Sequence, residues 1–112
     1  MKYEGNGYFR AKASLAGDTI PLENVLVVIR GVDEENYGVE YSMITDNDGL
    51  TRLLTLPTPI KSLSESSDPS EQPFANYSLE AKIKGYSTIT IDSIPVFDGE
   101  TSFITLNMLP IE

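Results

Sequence analysis

The alternation of apolar and polar side chains is the feature that most restricts how this chain can fold. In residues 8–15 and 77–84 the apolar side chains fall on odd positions and most of the others are polar, and residues 103–108 follow the same period of two. A period of two places alternate side chains on opposite faces of a strand, so each segment is predicted to be a half-buried strand. No stretch of useful length follows the period of a helix.

Four further segments have strand character. Residues 25–29 are apolar on both faces, as in a central or covered strand. Residues 37–43 place Tyr37, Val39, Tyr41 and Met43 on one face. Residues 51–56 are predicted to pair back across a turn at 46–49, and the β-branched residues 87–92 are predicted to pair with the strand before them.

Seven strands without a crossover helix predict an all-β fold, a sandwich of two antiparallel sheets. The 112 residues, 40% of them hydrophobic, are enough for one domain spanning residues 1–112. Residues 57–73 hold four prolines and are predicted to form a flexible Ser/Pro-rich loop, because proline lacks the N–H that a strand ladder needs.

The charge of the chain excludes some partners. Acidic residues outnumber basic ones by 17 to 8, a net charge of −9. Nucleic acid and anionic membrane surfaces would both repel such a chain, so the charge favours a cationic, metal-ion or neutral partner. Neither an apolar run long enough to span a membrane nor a signal peptide is apparent in the sequence. We expect the chain to be a monomer or a weak homodimer.

Three strings resemble the carboxypeptidase regulatory-like domain: the pattern Leu22-x-x-Val25-x-Val27-x-Ile29, the run Thr45–Gly49, and Lys84-Gly85-Tyr86. The likeness runs from about Gly7 to Pro110. It implies a seven-strand Greek-key sandwich of the transthyretin (prealbumin) type. Members of this family are accessory domains, so the resemblance implies that the chain has no active site.

A narrower likeness comes from Leu56-Pro57-x-Pro59 and from residues 94–102. These strings are similar to a domain of Firmicutes cell-wall proteins that accompanies peptidoglycan-binding modules and clostridial spore-cortex-lytic enzymes. The resemblance implies a location in the bacterial cell envelope or spore, and a protein or a cell-wall glycan as the partner. In the matched strings, Gly49 and Gly85 suit turn geometry, and Tyr86 is expected to pack its ring on the core and bond its hydroxyl to backbone.

The chemistry available to the chain is narrow. It contains no histidine and no cysteine, which removes His-dependent nucleophilic catalysis, thiolate metal sites and most zinc sites. A small carboxylate-dependent hydrolase would need two facing acids. The acids in or near turns are not aimed at one another by any visible pattern; they are Asp33, Glu34, Glu35, Asp92, Asp98 and Glu100. We therefore expect no catalytic residues and no enzyme activity.

The run Asp46-x-Asp48-Gly49 resembles the start of a calcium-binding loop. An EF-hand loop needs an acid at its twelfth position, and Pro57 stands there instead. A turn built by Asp46, Asp48 and Gly49 is the predicted structure, and no metal or cofactor is expected. A looser Ca²⁺ site between neighbouring loops stays open as an alternative because of the negative charge.

Three residues are the candidates for a ligand or partner surface. Tyr8 lies on the polar face of its strand and is the best candidate for an exposed ring among the six tyrosines. Leu26 and Val28 point away from the apolar face of Val25, Val27 and Ile29, and they form either an open docking patch or a covered one.

These observations favour two functions over that of a hydrolase. The first is a non-catalytic accessory or interaction domain that positions or docks a neighbouring module. The alternative is a carbohydrate-binding module that uses tyrosines and polar turn groups on peptidoglycan.

Overall fold

Residues 3–17, 19–60 and 73–111 are described by a computed structural model of the chain. These residues form seven strands and no helix, so the prediction of an all-β sandwich is confirmed. The strands are β1 (Gly5–Leu15), β2 (Leu26–Gly31), β3 (Glu40–Ile44), β4 (Leu54–Thr58), β5 (Ala75–Lys82), β6 (Ile89–Val96) and β7 (Thr101–Met108).

The strands form two sheets that pack face to face. The three-stranded sheet has the order β4-β1-β7, and the four-stranded sheet has the order β3-β2-β5-β6. The inner face of β1 is formed by Phe9, Ala11 and Ala13, which are completely buried. Val27 and Ile29 of β2 are also completely buried and belong to the same core cluster. The alternation in the sequence therefore identified the inner faces, since burial of apolar surface is the main favourable term in folding.

Two pairings differ from the sequence-based expectation. β1 and β7 run parallel, with Tyr8 opposite Thr101, so the three-stranded sheet is mixed and not antiparallel. β4 pairs with β1 and not with β3, so the chain changes sheets after the turn at 46–49. Alternation specifies which face a side chain occupies, but it contains no information about the direction or the partner of a strand.

Several strand limits also differ. Tyr37 lies in the loop before β3 and is 85% exposed, whereas the sequence placed it in the strand. Pro57 lies inside β4, whereas the sequence placed it in the Ser/Pro-rich loop 57–73, of which residues 61–72 lie outside the described residues. β4 is an edge strand, and on its open side an N–H group has no neighbouring strand to bond, so a proline is tolerated there. Pro95 lies in β6, an edge strand of the other sheet, and is tolerated for the same reason.

Tyr77 connects the two sheets through the core. Its side chain is 1% exposed on β5 of the four-stranded sheet. Its hydroxyl donates a hydrogen bond of 2.5 Å to the carbonyl oxygen of Pro57 on β4 of the other sheet. Burial, assisted by the negative charge of Asp33, raises the pKa of Tyr77 from its ordinary value of 10.0 to about 12. The pair therefore fixes one sheet against the other with a neutral hydrogen bond.

Replacing Tyr77 by Phe keeps the ring and removes only this hydrogen bond. We expect Y77F to lower the free energy of unfolding by about 1–2 kcal/mol, because the carbonyl of the half-buried Pro57 loses its donor. Chemical denaturation followed by fluorescence or circular dichroism measures the loss. The matched control is Y37F, which removes a hydroxyl from an exposed ring and should change stability by less than about 0.5 kcal/mol. Equal effects of the two variants would contradict this account of Tyr77.

The raised pKa of Tyr77 predicts a loss of stability in alkali. The folded protein holds the phenolic proton more tightly than the unfolded chain, so this contribution is fully present below pH 10 and is lost as pH rises towards about 12. Stability measured against pH should fall in that window, and the fall should be shallower in Y77F. Tyr3, whose pKa is also raised by burial and by its hydrogen bond to Asp33, maintains part of the slope in the variant. Identical slopes in the two proteins would contradict the prediction.

Candidate functional site

Tyr8 lies on the outer face of the three-stranded sheet. We call this surface the three-strand face; it consists of Tyr8, Arg10, Lys12, Leu53, Thr55, Thr101, Phe103 and Thr105. In the strand register Tyr8 is opposite Thr55 on one side and Thr101 on the other. Its ring is half-buried, and it is less exposed than Tyr37. The expectation that Tyr8 is the best-exposed ring is therefore wrong, because a residue in the central strand is flanked by neighbours on both sides.

The three-strand face is basic in an acidic protein. β1, β4 and β7 together contain Arg10 and Lys12 and no acidic residue. The face also exposes large apolar side chains, since Phe103 is 53% exposed and Leu53, directly before β4, is 55% exposed. Arg10 donates a hydrogen bond of 2.9 Å from Nε to the carbonyl oxygen of Thr51, which holds the guanidinium against the sheet. Basic and apolar groups therefore share one solvent-facing surface.

Leu26 and Val28 lie on the outer face of the four-stranded sheet. Leu26 is half-buried and Val28 is 7% exposed. The register places Val28 between Ser42 and Glu80, within a central strand. These two residues do not make an open apolar surface by themselves, and their role in binding a ligand or partner stays a prediction.

The turn residues singled out in the sequence have local structural contacts. Oδ1 of Asp46 accepts hydrogen bonds from the backbone N–H groups of Leu50 and Asp48, and these bonds lower the pKa of Asp46. The backbone of Gly49 has φ +77°, with the Ala13 carbonyl oxygen 2.3 Å from where a Cβ would lie. Gly85 has φ +92°, and Tyr86 packs its half-buried side chain against the core.

No group of three or more Asp, Glu, His or Cys residues that could hold a metal ion occurs in the described part of the chain. The Ca²⁺ alternative therefore gains no support from the described residues and stays a prediction. Within the same ranges no helix is long and apolar enough to cross a membrane.

The loop between β2 and β3 contains a polar network that the sequence did not reveal. We call this network the Asn36 hub; it consists of Tyr3, Asp33, Asn36, Asn76 and Ser93. Asn36 is completely buried; its Oδ1 accepts from the Asp33 N–H at 2.8 Å, and its Nδ2 donates to the Asn76 carbonyl oxygen at 2.9 Å. Asp33 accepts from the Asn76 N–H at 2.7 Å and from the Tyr3 hydroxyl at 3.0 Å. Asp33, which the sequence placed among the acids in or near turns, fastens the loop to β5.

The close approach at Gly31 explains why the loop can fold over its own strand. A Cβ at Gly31 would lie 2.2 Å from the Asn36 carbonyl oxygen, so a side chain there would displace the loop. The loop closes where the Gly31 N–H donates to the Val39 carbonyl at 2.9 Å. The signal in the sequence was a glycine that ends an apolar strand before Asp33 and Asn36, two residue types that bond local backbone.

A groove of about 220 Å³ lies beside this loop on the outer face of the four-stranded sheet. It is lined by Arg30, Gly31, Tyr37, Gly38, Val39 and Glu40. Arg30 Nε and Glu40 Oε1 are 2.6 Å apart across the β2–β3 pair. Tyr37, the most exposed of the large hydrophobic side chains in the described residues, therefore borders a concave surface that also presents a hydrogen-bond donor and an acceptor.

Comparison with known proteins identifies the fold and not a family. No protein-family model matches the chain, and no curated protein matches it in sequence. Among solved structures it is similar to the TIE protein of Bacillus anthracis, with TM-score 0.62 and 18% identity over 96% of this chain. It is also similar to 3-chlorocatechol 1,2-dioxygenase of Rhodococcus opacus 1CP, with TM-score 0.67 and 12% identity over 96%.

Hydroxyquinol 1,2-dioxygenase of Pseudomonas putida DLL-E4 is similar as well, with TM-score 0.64 and 8% identity over 96% of this chain. The chain spans 17% of the TIE protein, 61% of the chlorocatechol dioxygenase and 57% of the hydroxyquinol dioxygenase. At these identities the likeness shows a shared β-sandwich and does not extend to activity.

Removing the Asn36 side chain tests the hub. We expect N36A to lower the free energy of unfolding by about 2–3 kcal/mol, because the half-buried Asp33 N–H loses its acceptor and the Asn76 carbonyl keeps only the Val32 N–H as a donor. Amide hydrogen exchange should accelerate at Gly31 and Val39, where the loop closes. The control is E34A at an exposed position of the same loop, expected to change stability by less than about 0.5 kcal/mol. Unchanged exchange at both amides in N36A would show that the hub does not hold the loop.

Proposed function

We propose that this chain is a non-catalytic interaction domain of a bacterial cell-envelope or spore-associated protein, and that it positions a neighbouring module by docking it on the three-strand face. The observation that carries the proposal is the combination of exposed apolar side chains and basic groups on that face. Phe103 and Leu53 are both more than half exposed, and Arg10 and Lys12 lie among them.

The charge distribution supports docking at this face and not at another. The chain has a net charge of −9, yet the strands of the three-stranded sheet contain two basic residues and no acidic one. The strands of the four-stranded sheet contain three acidic residues, Glu40, Glu80 and Asp92, and two basic ones, Arg30 and Lys82, so their net charge is negative. A partner with acidic surface groups is attracted to the three-strand face and repelled by the net negative charge of the rest of the chain, which favours one orientation.

The composition of the face also suits a protein partner. Interfaces are enriched in aromatic residues and arginine relative to the remaining surface, and both occur here as Tyr8, Phe103 and Arg10. The rings stand on strands and not on mobile loops, so little conformational entropy is lost when a partner orders them. A rigid sandwich that presents such a face acts as a spacer with a defined docking direction.

The sequence resemblance supports the setting of this function. The runs Thr45–Gly49 and Lys84-Gly85-Tyr86 resemble accessory domains of the carboxypeptidase regulatory-like kind, and residues 94–102 are similar to domains that accompany peptidoglycan-binding and spore-cortex-lytic modules. In that setting, the partner is an adjacent module of the same envelope protein. This proposal assigns no catalytic residue to the chain.

Lysine footprinting tests the docking face. Residues 1–112 alone and the same residues with their native flanking modules are treated with an acetylating reagent. We expect Lys12 to react at least about fivefold more slowly in the longer protein, as for a linked module that is docked about four-fifths of the time. Lys84, exposed after β5, is the internal control and should react equally in both.

The variant F103D tests whether the slower reaction of Lys12 depends on docking at the three-strand face. Phe103→Asp places a charge in the centre of the exposed apolar surface, and it should return Lys12 in the longer protein to the rate of the isolated domain. Equal Lys12 reactivity in the two wild-type samples would refute docking at this face. Protection that persists in F103D would show that Lys12 is covered by something other than this surface.

A further inference from the structure

The groove beside the β2–β3 loop has a fixed geometry. The Asn36 hub and the hydrogen bond between Gly31 and Val39 fasten the loop at both ends. Asn36 is completely buried, whereas its neighbour Tyr37 is 85% exposed. Gly38 follows with φ +98°, a conformation that other residues rarely adopt. A buried anchor and a constrained glycine therefore hold one exposed aromatic ring at the rim of the groove.

The polar part of the groove is a neutral pair. Arg30 and Glu40 form an ion pair, and their side chains are 50% and 55% exposed. An arginine has five N–H donors and a carboxylate has two acceptor oxygens, so one contact between them does not use up their hydrogen-bonding capacity. The pair presents donors and acceptors side by side with no net charge, which matches hydroxyl groups because each hydroxyl both donates and accepts.

The size of the groove limits the ligand. A volume of about 220 Å³ is smaller than the roughly 300–1,000 Å³ of pockets that take drug-sized molecules. It suits a single small ring. The acidic residues Asp33, Glu34 and Glu35 in the same loop oppose an anionic ligand, and the Arg30–Glu40 pair adds no net charge at the groove.

From these observations we propose that the groove binds one ring of a neutral saccharide. Tyr37 stacks on the apolar C–H face of the sugar ring, and Arg30 and Glu40 bond its hydroxyl groups. This site is separate from the proposed docking face, since it lies on the outer face of the other sheet and shares no residue with it. A domain with both features holds a module on one side and a glycan on the other.

Titration of the isotope-labelled chain with defined oligosaccharides tests the proposal. The neutral probes are cellotetraose and the tetramer of N-acetylglucosamine, and an oligomer of glucuronic acid is the charged comparison. We expect at least one neutral probe to shift the amide signals of Gly31, Gly38 and Glu40, with a dissociation constant on the order of millimolar for so small a contact. The charged oligomer should bind more weakly than that neutral probe.

Three variants assign the ring. Y37A should weaken binding about three- to tenfold, the range expected for loss of a ring contact, and the exposed position keeps the fold intact. Y37F keeps the ring and should bind as the wild type does. F103A removes another exposed ring, on the three-strand face, and should leave saccharide binding unchanged, which separates this site from the docking surface.

Several results would overturn the proposal. One is the absence of amide shifts with both neutral probes at tens of millimolar, more than ten times the expected dissociation constant. The others are an affinity unaffected by Y37A, and binding of the charged oligomer at least as tight as that of the better neutral probe. A binding loss in F103A equal to that in Y37A would place the saccharide on the three-strand face instead.

Discussion

The exclusion of water from between the two sheets is the constraint on which the rest of this structure depends. Each fully buried large apolar side chain contributes roughly 1.5–3 kcal/mol to the free energy of unfolding. Phe9, Ile29 and Leu79, which come from both sheets, are almost completely buried. A polar group can enter this interior only with a partner. Tyr77 is buried there with its hydroxyl hydrogen-bonded to the Pro57 carbonyl, and it thereby connects the two sheets, whose apolar side chains pack against each other.

A dry interior leaves the faces, edges and loops as the surfaces that can bind anything. Their chemistry is distributed unevenly in this chain. The three-strand face combines basic and apolar groups, whereas acidic residues occur in the strands of the four-stranded sheet. Because the outer faces of the two sheets belong to one rigid sandwich, a partner bound to one face has a defined position relative to the other face.

The β2–β3 loop shows how a surface feature depends on buried polar contacts. Asn36 contributes nothing to an apolar core, but the two hydrogen bonds of its side-chain amide replace hydrogen bonds that the backbone would otherwise make to water. Asp33 and Asn76 extend this hydrogen-bond network to Tyr3, which precedes β1, and to β6 through Ser93. The exposure of Tyr37 is a consequence, since the residue before it is held inward and the glycine after it turns the chain.

The sequence by itself determined which segments are strands and which side chains face inward. Alternation is a local property of the pleated backbone, so the inner face of β1 at Phe9, Ala11 and Ala13 follows from the residue order alone. The same local pattern placed Tyr37 in a strand and named Tyr8 as the most exposed ring, because exposure depends on neighbours that alternation does not identify.

Only the tertiary structure decided which strands pair, in which direction, and which polar residues meet. The parallel pairing of β1 with β7 joins residues more than 90 positions apart, and the bond between Asp33 and Asn76 spans 43 positions. Such contacts depend on the packing of the whole chain and on the entropy of closing long loops, quantities that no short window of sequence contains. The candidate sites are products of that packing: the three-strand face exists because β4 and β7 flank β1, and the groove exists because Asn36 is buried beneath its own loop.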